Sequence, residues 1–252
     1  MSKAIILCAL LLQACAITRV PLPSTSAERV AKLEQAPDEA GELIYEGQVF
    51  DPESSASSPA FRYERRVIKR NGLLESTHIT TDLSTQKVAV IQSAVHTPSY
   101  ELRTLEQLNA QTGAVSRVTV TGRSLHYVFH QGDTAKEADE LVDAPIVVGP
   151  TLFGFIAQHW AELEAGKSLP VLFVVIEGLT SYPFTLRKAE GEVLMEGSGL
   201  VALAVKPQHF LFDPAQKRIT RYTGRAPQRR VVDGALSDLD ARVEYTHHAT
   251  YR

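Results

Sequence analysis

Cysteine is nearly absent from this chain: two in 252 residues, Cys8 and Cys15, and none beyond. Two cysteines in an exported protein would ordinarily suggest one disulfide. Here both lie in the first fifteen residues, so the remainder has no disulfide staple, no cysteine nucleophile and no thiolate metal site. An excess of either charge is also missing, with 26 basic against 29 acidic residues and a formal net charge of -3. A protein that tracks phosphates needs a clear cationic excess, so nucleic acid is not an expected partner. No apolar run is long enough to cross a bilayer as a helix, which takes about 20 residues. The longest near the start, Ala4 to Leu12, has nine. There is no phosphate-binding loop, no G-x-G-x-x-G and no H-E-x-x-H. No cofactor is therefore expected.

What is present begins with Lys3, the short apolar run, and then Leu12-Gln13-Ala14-Cys15. A positive start and a 7–15-residue apolar stretch make a secretory signal. The four residues resemble the lipobox of bacterial lipoproteins, which ends in a small residue followed by cysteine. The resemblance implies cleavage between Ala14 and Cys15, a diacylglyceryl thioether on Cys15 and acylation of the new amino terminus. Gln13 departs from the residue usual at that place. An ordinary secretory signal would need an A-x-A-like site, which Gln13-Ala14-Cys15 does not supply. Residues 1–14 are thus read as signal peptide and 15–40 as lipidated cysteine and linker. Cleavage removes Lys3 alone among the charges, leaving 25 basic against 29 acidic residues and a net charge of -4. Thr25-x-x-Glu28 offers a capping box for a short helix over 26–35, and Val30 and Leu33 give it something to pack if it folds back. Ala16 is not the aspartate that retains lipoproteins at the inner membrane of enteric bacteria. The expected location is the cell envelope, at the outer membrane facing the periplasm.

From residue 41 onward the hydrophobic period is two, which is the period of a strand with one wet face. Strands are predicted over 41–50, 60–70, 73–82, 88–96, 100–109, 115–121 and 124–130. Asn71-Gly72 is a two-residue hairpin signal, because both tolerate positive φ. The acidic stretch 131–145 reads as irregular. One helix is predicted over 150–165, with Pro150 at its first turn, Leu152, Ile156, Trp160 and Leu163 on one stripe, and Gly166 as its cap. Strands resume over 168–177, 181–188, 192–206, 209–213, 218–223 and 241–251. The expected fold is mainly β: one large, curled antiparallel sheet, half-barrel or barrel-like, over 41–252, with an amphipathic helix packed on or in it.

Three segments carry a family resemblance: His159-Trp160-Ala161-Glu162-Leu163-Glu164-Ala165-Gly166-Lys167, the run Phe212 to Gly224, and Ala241-Arg242-Val243-Glu244-Tyr245. Together they resemble a family of bacterial exported β-rich proteins whose activity is uncharacterised. The family continues after the glycine with Gly-x-Ser-Asn, where this chain has Gly224-Arg225-Ala226-Pro227. The resemblance implies a β-rich domain and no mechanism. In architecture alone the pattern is similar to the half-barrel lipoproteins of the LolA/LolB type, which hold acyl chains between a curled sheet and helices.

Polar candidates are few. His126 and His130 share a strand face about 13 Å apart, too far for one metal. His247 and His248 point to opposite faces, and packing is the expected role of His159 on the helix. Ser198 lies between two glycines in a predicted strand, not at a nucleophile elbow, and reads as a bulge or bend. The acidic run from Asp133 to Asp143 lacks the spacing of a calcium loop. Arg65-Arg66 with Lys69-Arg70, and Arg225 with Arg229-Arg230, read as solvated basic faces. Apolar surface remains: Phe153, Phe155, Ile156 and Trp160 on the helix, with Val174 from the run LPVLFVVIE, are the candidate lining of an apolar ligand site. The expected role is a non-enzymatic binding or carrier function. The alternative is a structural or protein-interaction lipoprotein with a filled core.

Overall fold

The computed structural model describes residues 42–54 and 57–249. The expected signal peptide, Ala14, Cys15, and the expected linker and short helix over 26–35 lie outside the described residues. The described chain forms fifteen strands in one sheet, ordered β8-β7-β6-β5-β4-β3-β2-β1-β15-β14-β13-β12-β11-β10-β9. The order results from two meanders. β1 (Glu42–Phe50), β2 (Phe61–Arg70), β3 (Leu73–Asp82), β4 (Val88–His96), β5 (Leu102–Asn109), β6 (Ala114–Thr121), β7 (Ser124–Gln131) and β8 (Thr134–Leu141) run outward in one direction. β9 (Ile146–Val147), β10 (Leu169–Val175), β11 (Thr180–Ala189), β12 (Glu192–Gly197), β13 (Gln208–Asp213), β14 (Arg218–Val232) and β15 (Ala235–His247) return from the far edge to pair with β1. Mainly β and curled, with one longer helix, is the fold expected from the period-two pattern. Among the described residues, only β9 with β10 is a parallel pair.

Turn chemistry sets several of the boundaries. Asn71 (φ 51°) and Gly72 (φ 79°) make the hairpin between β2 and β3, as their tolerance of positive φ requires. Several expected boundaries are corrected, among them the last two strands, which run over Arg218–Val232 and Ala235–His247 rather than 218–223 and 241–251. The stretch 131–145 is not irregular: Gly132-Asp133 turns the chain and β8 pairs with β7 along its whole length. The predicted strand 192–206 ends at Gly197, and a 3-10 turn, Gly199–Leu203, follows. The helix also divides. α1 (Gly149–Gln158) and α2 (Trp160–Glu164) meet at His159, which leaves helical geometry at ψ 15°. Gly166, at φ +78°, closes α2 with the N–H of Lys167 donating to Glu162 O, a glycine-capped end.

The apolar side chains form two clusters. The larger holds α1 and α2 against β1–β3 and β10–β15, with Ile44, Val49, Leu152, Ile156, Leu186 and Phe210 all at or near zero exposure. The smaller joins Ala94, Leu105, Val118 and Leu125 of β4–β7 to Val148, Val174 and Ile176. Strands at opposite ends of the sheet therefore face each other. Side chains tie the edge strand β8 across to β11: Glu140 of β8 accepts from Ser181 N at 2.9 Å and Ser181 Oγ at 2.7 Å, and from Tyr127 Oη of the neighbouring β7 at 2.6 Å.

Candidate functional site

The strand register aligns one row of side chains across the inner face. Tyr45 of β1 stands opposite Arg65 of β2, then His78, Gln92, Gln107 and Ser116 on β3 to β6. All but Tyr45 are polar or charged, although the face is the buried one. Arg65, fully buried, donates to Ser76 Oγ at 2.9 Å, to the Pro150 carbonyl and to His78 Nε2 at 3.3 Å. It thereby fastens the first turn of α1 to the sheet. Further along, Gln92 donates to Gln107 at 2.7 Å and Gln107 to Glu177 at 2.9 Å. On β4 the row passes between Val90 of the larger cluster and Ala94 of the smaller. Reading Arg65 as part of a solvated basic face is thus corrected. Its parity with Phe61 and Val67 places it inward, while Arg66, on the opposite parity, pairs with Glu64 at 3.1 Å.

Beside the row, the bond between His96 and Ser76 has a defined polarity. His96 Nδ1 lies 2.7 Å from the Thr97 carbonyl, which can only accept. Nδ1 therefore carries the proton, and Nε2 accepts from Ser76 Oγ at 2.8 Å. Burial holds the His96 pKa down to about 4, and burial followed by the Arg65 charge holds His78 well below its ordinary value. A serine on a neutral, oriented imidazole is the geometry of a nucleophile with its base. Here Ser76 and His96 are both without exposed surface.

The group between His96 and solvent is Tyr100. It sits at φ 62° in the tight turn joining β4 to β5, with its N–H on Thr97 O at 2.9 Å. Its ring stacks on His96 at 5.2 Å and 18°. On the other side it meets α1 at Gly154, where a Cβ would fall 2.0 Å from the Tyr100 Cζ. Only glycine permits that approach.

Tyr100 also lines a cleft of about 370 Å³ at one end of the rolled sheet. Three connections converge there: 97–101 between β4 and β5, Gly122-Arg123 between β6 and β7, and 142–146 between β8 and β9. Leu102, Val120, Val142, Ile146 and Phe155 supply apolar wall, and Glu101, Arg103, Arg123 and Asp143 the polar rim. Arg123 Nε donates to Val142 O at 2.8 Å, which fixes the guanidinium at the mouth. A second cleft, of about 280 Å³ and lined by Phe129, Glu177, Arg229 and Leu236 among others, lies under the β14–β15 hairpin.

Of the five side chains expected to line an apolar site, Phe155 lines the larger cleft. Phe153 packs among Tyr45, Phe210 and Tyr245, and Trp160 packs on Phe212 at 5.4 Å with Lys188 over its ring. Ile156 is buried in the same cluster and Val174 in the other. Neither cleft brings these four together. The histidines are separate: His126 pairs with Asp139 at 2.8 Å, His159 with Glu162 at 2.8 Å, and His248 with Glu46 at 2.9 Å, while His247 bonds Ile219 O. Among the described residues no three His, Cys, Asp or Glu side chains gather in a metal-holding group. Sequence reasoning missed Tyr100, Ser76, His78 and His96. The parity of β3 and β4, set by Leu74 and Ala94, was the available signal for the last three.

No family model matches this chain, and no curated protein matches it. Among solved structures, the crystal structure of Rv2717c from M. tuberculosis is similar at 12% identity, over 86% of this chain and 96% of that one, with a TM-score of 0.20.

Proposed function

We propose that this chain is a lipid-anchored envelope protein, held through Cys15 and facing the periplasm from the outer membrane, with a non-enzymatic binding role. Its ligand is a small apolar molecule, or the apolar part of one, in the cleft that Tyr100 helps to line. The observation that carries this reading is the cleft itself: about 370 Å³, walled by Leu102, Val120, Val142, Ile146 and Phe155, at the end of the sheet where three loops meet. That size lies within the usual range of small-molecule sites, and apolar walls with a few polar rim groups are their usual chemistry. The site is distinct from an acyl chamber between helix and sheet, because α1 fills that space with Phe153 and Ile156.

The test is native mass spectrometry, with organic extraction, of residues 16–252 purified without detergent. The expected result is one apolar molecule per chain, lost in Val120→Trp, which fills the cleft from a half-buried position. Retention of the molecule by Val120→Trp moves it elsewhere. The second reading, a structural or protein-interaction lipoprotein without ligand, is favoured by the packing of Phe153, Ile156, Trp160 and Val174 into the two clusters. A clean apo mass in the parent chain selects it.

A further inference from the structure

Among the described residues, the two most exposed large apolar side chains stand together, apart from both clefts. Leu200 and Leu203 are 84% and 86% exposed, on the 3-10 turn Gly199–Leu203 between β12 and β13. A lone exposed leucine is ordinary; two on a constructed turn call for a reason. Val201 N donates to Ser198 O at 3.2 Å and Ala204 N to Val201 O at 3.0 Å. Ser198 N donates to Pro183 O at 2.9 Å, and Thr185 Oγ1 bonds Ser198 Oγ at 2.9 Å. Gly197 has no side chain because the turn lies on it: a Cβ there would stand 2.8 Å from Ala202 N. Val201 and Val205 face inward and pack on the larger cluster. The segment is therefore amphipathic, with its aliphatic residues divided between core and solvent. From Gly197 to Phe212 there is no acidic residue, and Lys206 and His209 are its titratable groups. Lys206 reaches Asp240 at 3.4 Å from a largely exposed position, and His209 bonds Glu192 at 3.0 Å.

We propose that this turn is a membrane-contact element: Leu200 and Leu203 insert into the headgroup–acyl boundary of the bilayer to which the chain is tethered. The proposal rests on the anchoring reading above and adds a second attachment to it. The occupant is a bilayer rather than a protein groove on three grounds. The turn projects two aliphatic tips without an aromatic or arginine anchor, the residue types on which protein interfaces concentrate their energy. It carries no negative charge that anionic lipid would repel. The 27 residues from Cys15 to Gly41 span up to about 90 Å when extended, enough to bring any face of the domain to the membrane. Two leucines are a weak anchor alone. Each buried side chain is worth about a factor of ten or more in partitioning, so they orient a protein that a lipid already holds, in the way two-signal anchoring works.

The test uses the lipidated full-length product in vesicles of phosphatidylethanolamine and phosphatidylglycerol. The mature chain has no free thiol if Cys8 is removed and Cys15 is a thioether, so Leu203→Cys provides one labelling site for an environment-sensitive fluorophore. Leu141→Cys, at a position 83% exposed on β8, is the comparison. The expected result is a blue-shifted, brighter emission at 203 on reconstitution, with protection from aqueous iodide and quenching by nitroxide lipid, and no change at 141. Equal iodide quenching at both positions in floated vesicles overturns the turn's role and leaves the anchor standing. Maleimide labelling of the parent chain, or failure to float, overturns the anchoring reading and the proposal with it. Shielding at 203 without vesicles, together with a dimer mass, assigns the turn to a second copy and also overturns the proposal.

Discussion

His96 shows how one buried side chain sets a pH response. Its folded-state pKa of about 4 lies below the ordinary value of 6.5, so the unfolded chain binds the proton more readily. Stability is complete above pH 6.5 and falls as pH drops from 6.5 towards 4, by on the order of 3 kcal/mol for this group alone. His78 acts with the same sign. Urea midpoints measured from pH 7.5 to 4.5 should decline, and His96→Gln should flatten that decline; equal slopes in both proteins would count against the assignment. Gly154 makes a second residue-scale prediction. In Gly154→Ala the new methyl must displace the Tyr100 ring, which has His96 behind it. The cost should be about 1–3 kcal/mol, read by thermal unfolding, and the Phe155 cleft should change shape with it.

Elements owe their boundaries to different forces. The turns with glycine or Asn-Gly follow local backbone preference, and most strand ends near them were legible in the sequence. β8 was not, because TAKEADEL carries no apolar alternation and six of its eight residues are exposed. It is a strand because Gly132 (φ 54°) turns the chain back onto β7. Its charges also suit an edge, since they discourage pairing with another chain. The same strand supplies Glu140, which holds the rolled sheet through Tyr127 and Ser181. Burial, followed by the bond to Glu140, raises the Tyr127 pKa. Glu140→Ala should cost about 1–3 kcal/mol by leaving the Tyr127 hydroxyl and Ser181 N–H without their acceptor. Leu141→Ala, one residue on and exposed, should be within about 0.5 kcal/mol of the parent. Chemical denaturation distinguishes them, and comparable losses would refute a latch at Glu140.

At the scale of the whole molecule, two apolar clusters share one sheet. Val148 belongs to the smaller cluster and Leu152 to the larger, so α1 and the residue before it bridge the two. Phe210→Ala and Leu105→Ala, one in each cluster, should each cost about 2–5 kcal/mol. Both should lower the same single unfolding transition, because neither cluster can lose its strands without the other. Two separated transitions in either variant would show that the clusters melt independently.

The sequence by itself determined the β class, most of the strands, the hairpin at Asn71-Gly72 and the capped helix ending near Gly166. These follow from side-chain period and backbone preference, which are local. It nominated five apolar side chains as a ligand lining; all five are buried in the two clusters, and Phe155 alone of them also borders the Tyr100 cleft. Apolar character marks burial and does not say whether the facing atoms are protein or ligand. Tertiary structure alone decided the rest. Which loops meet around Tyr100, how Arg65 comes under Pro150, and why Glu140 meets Ser181 all depend on how far the sheet rolls. That curl is the sum of small twists over many strands, and no single stretch of sequence carries it.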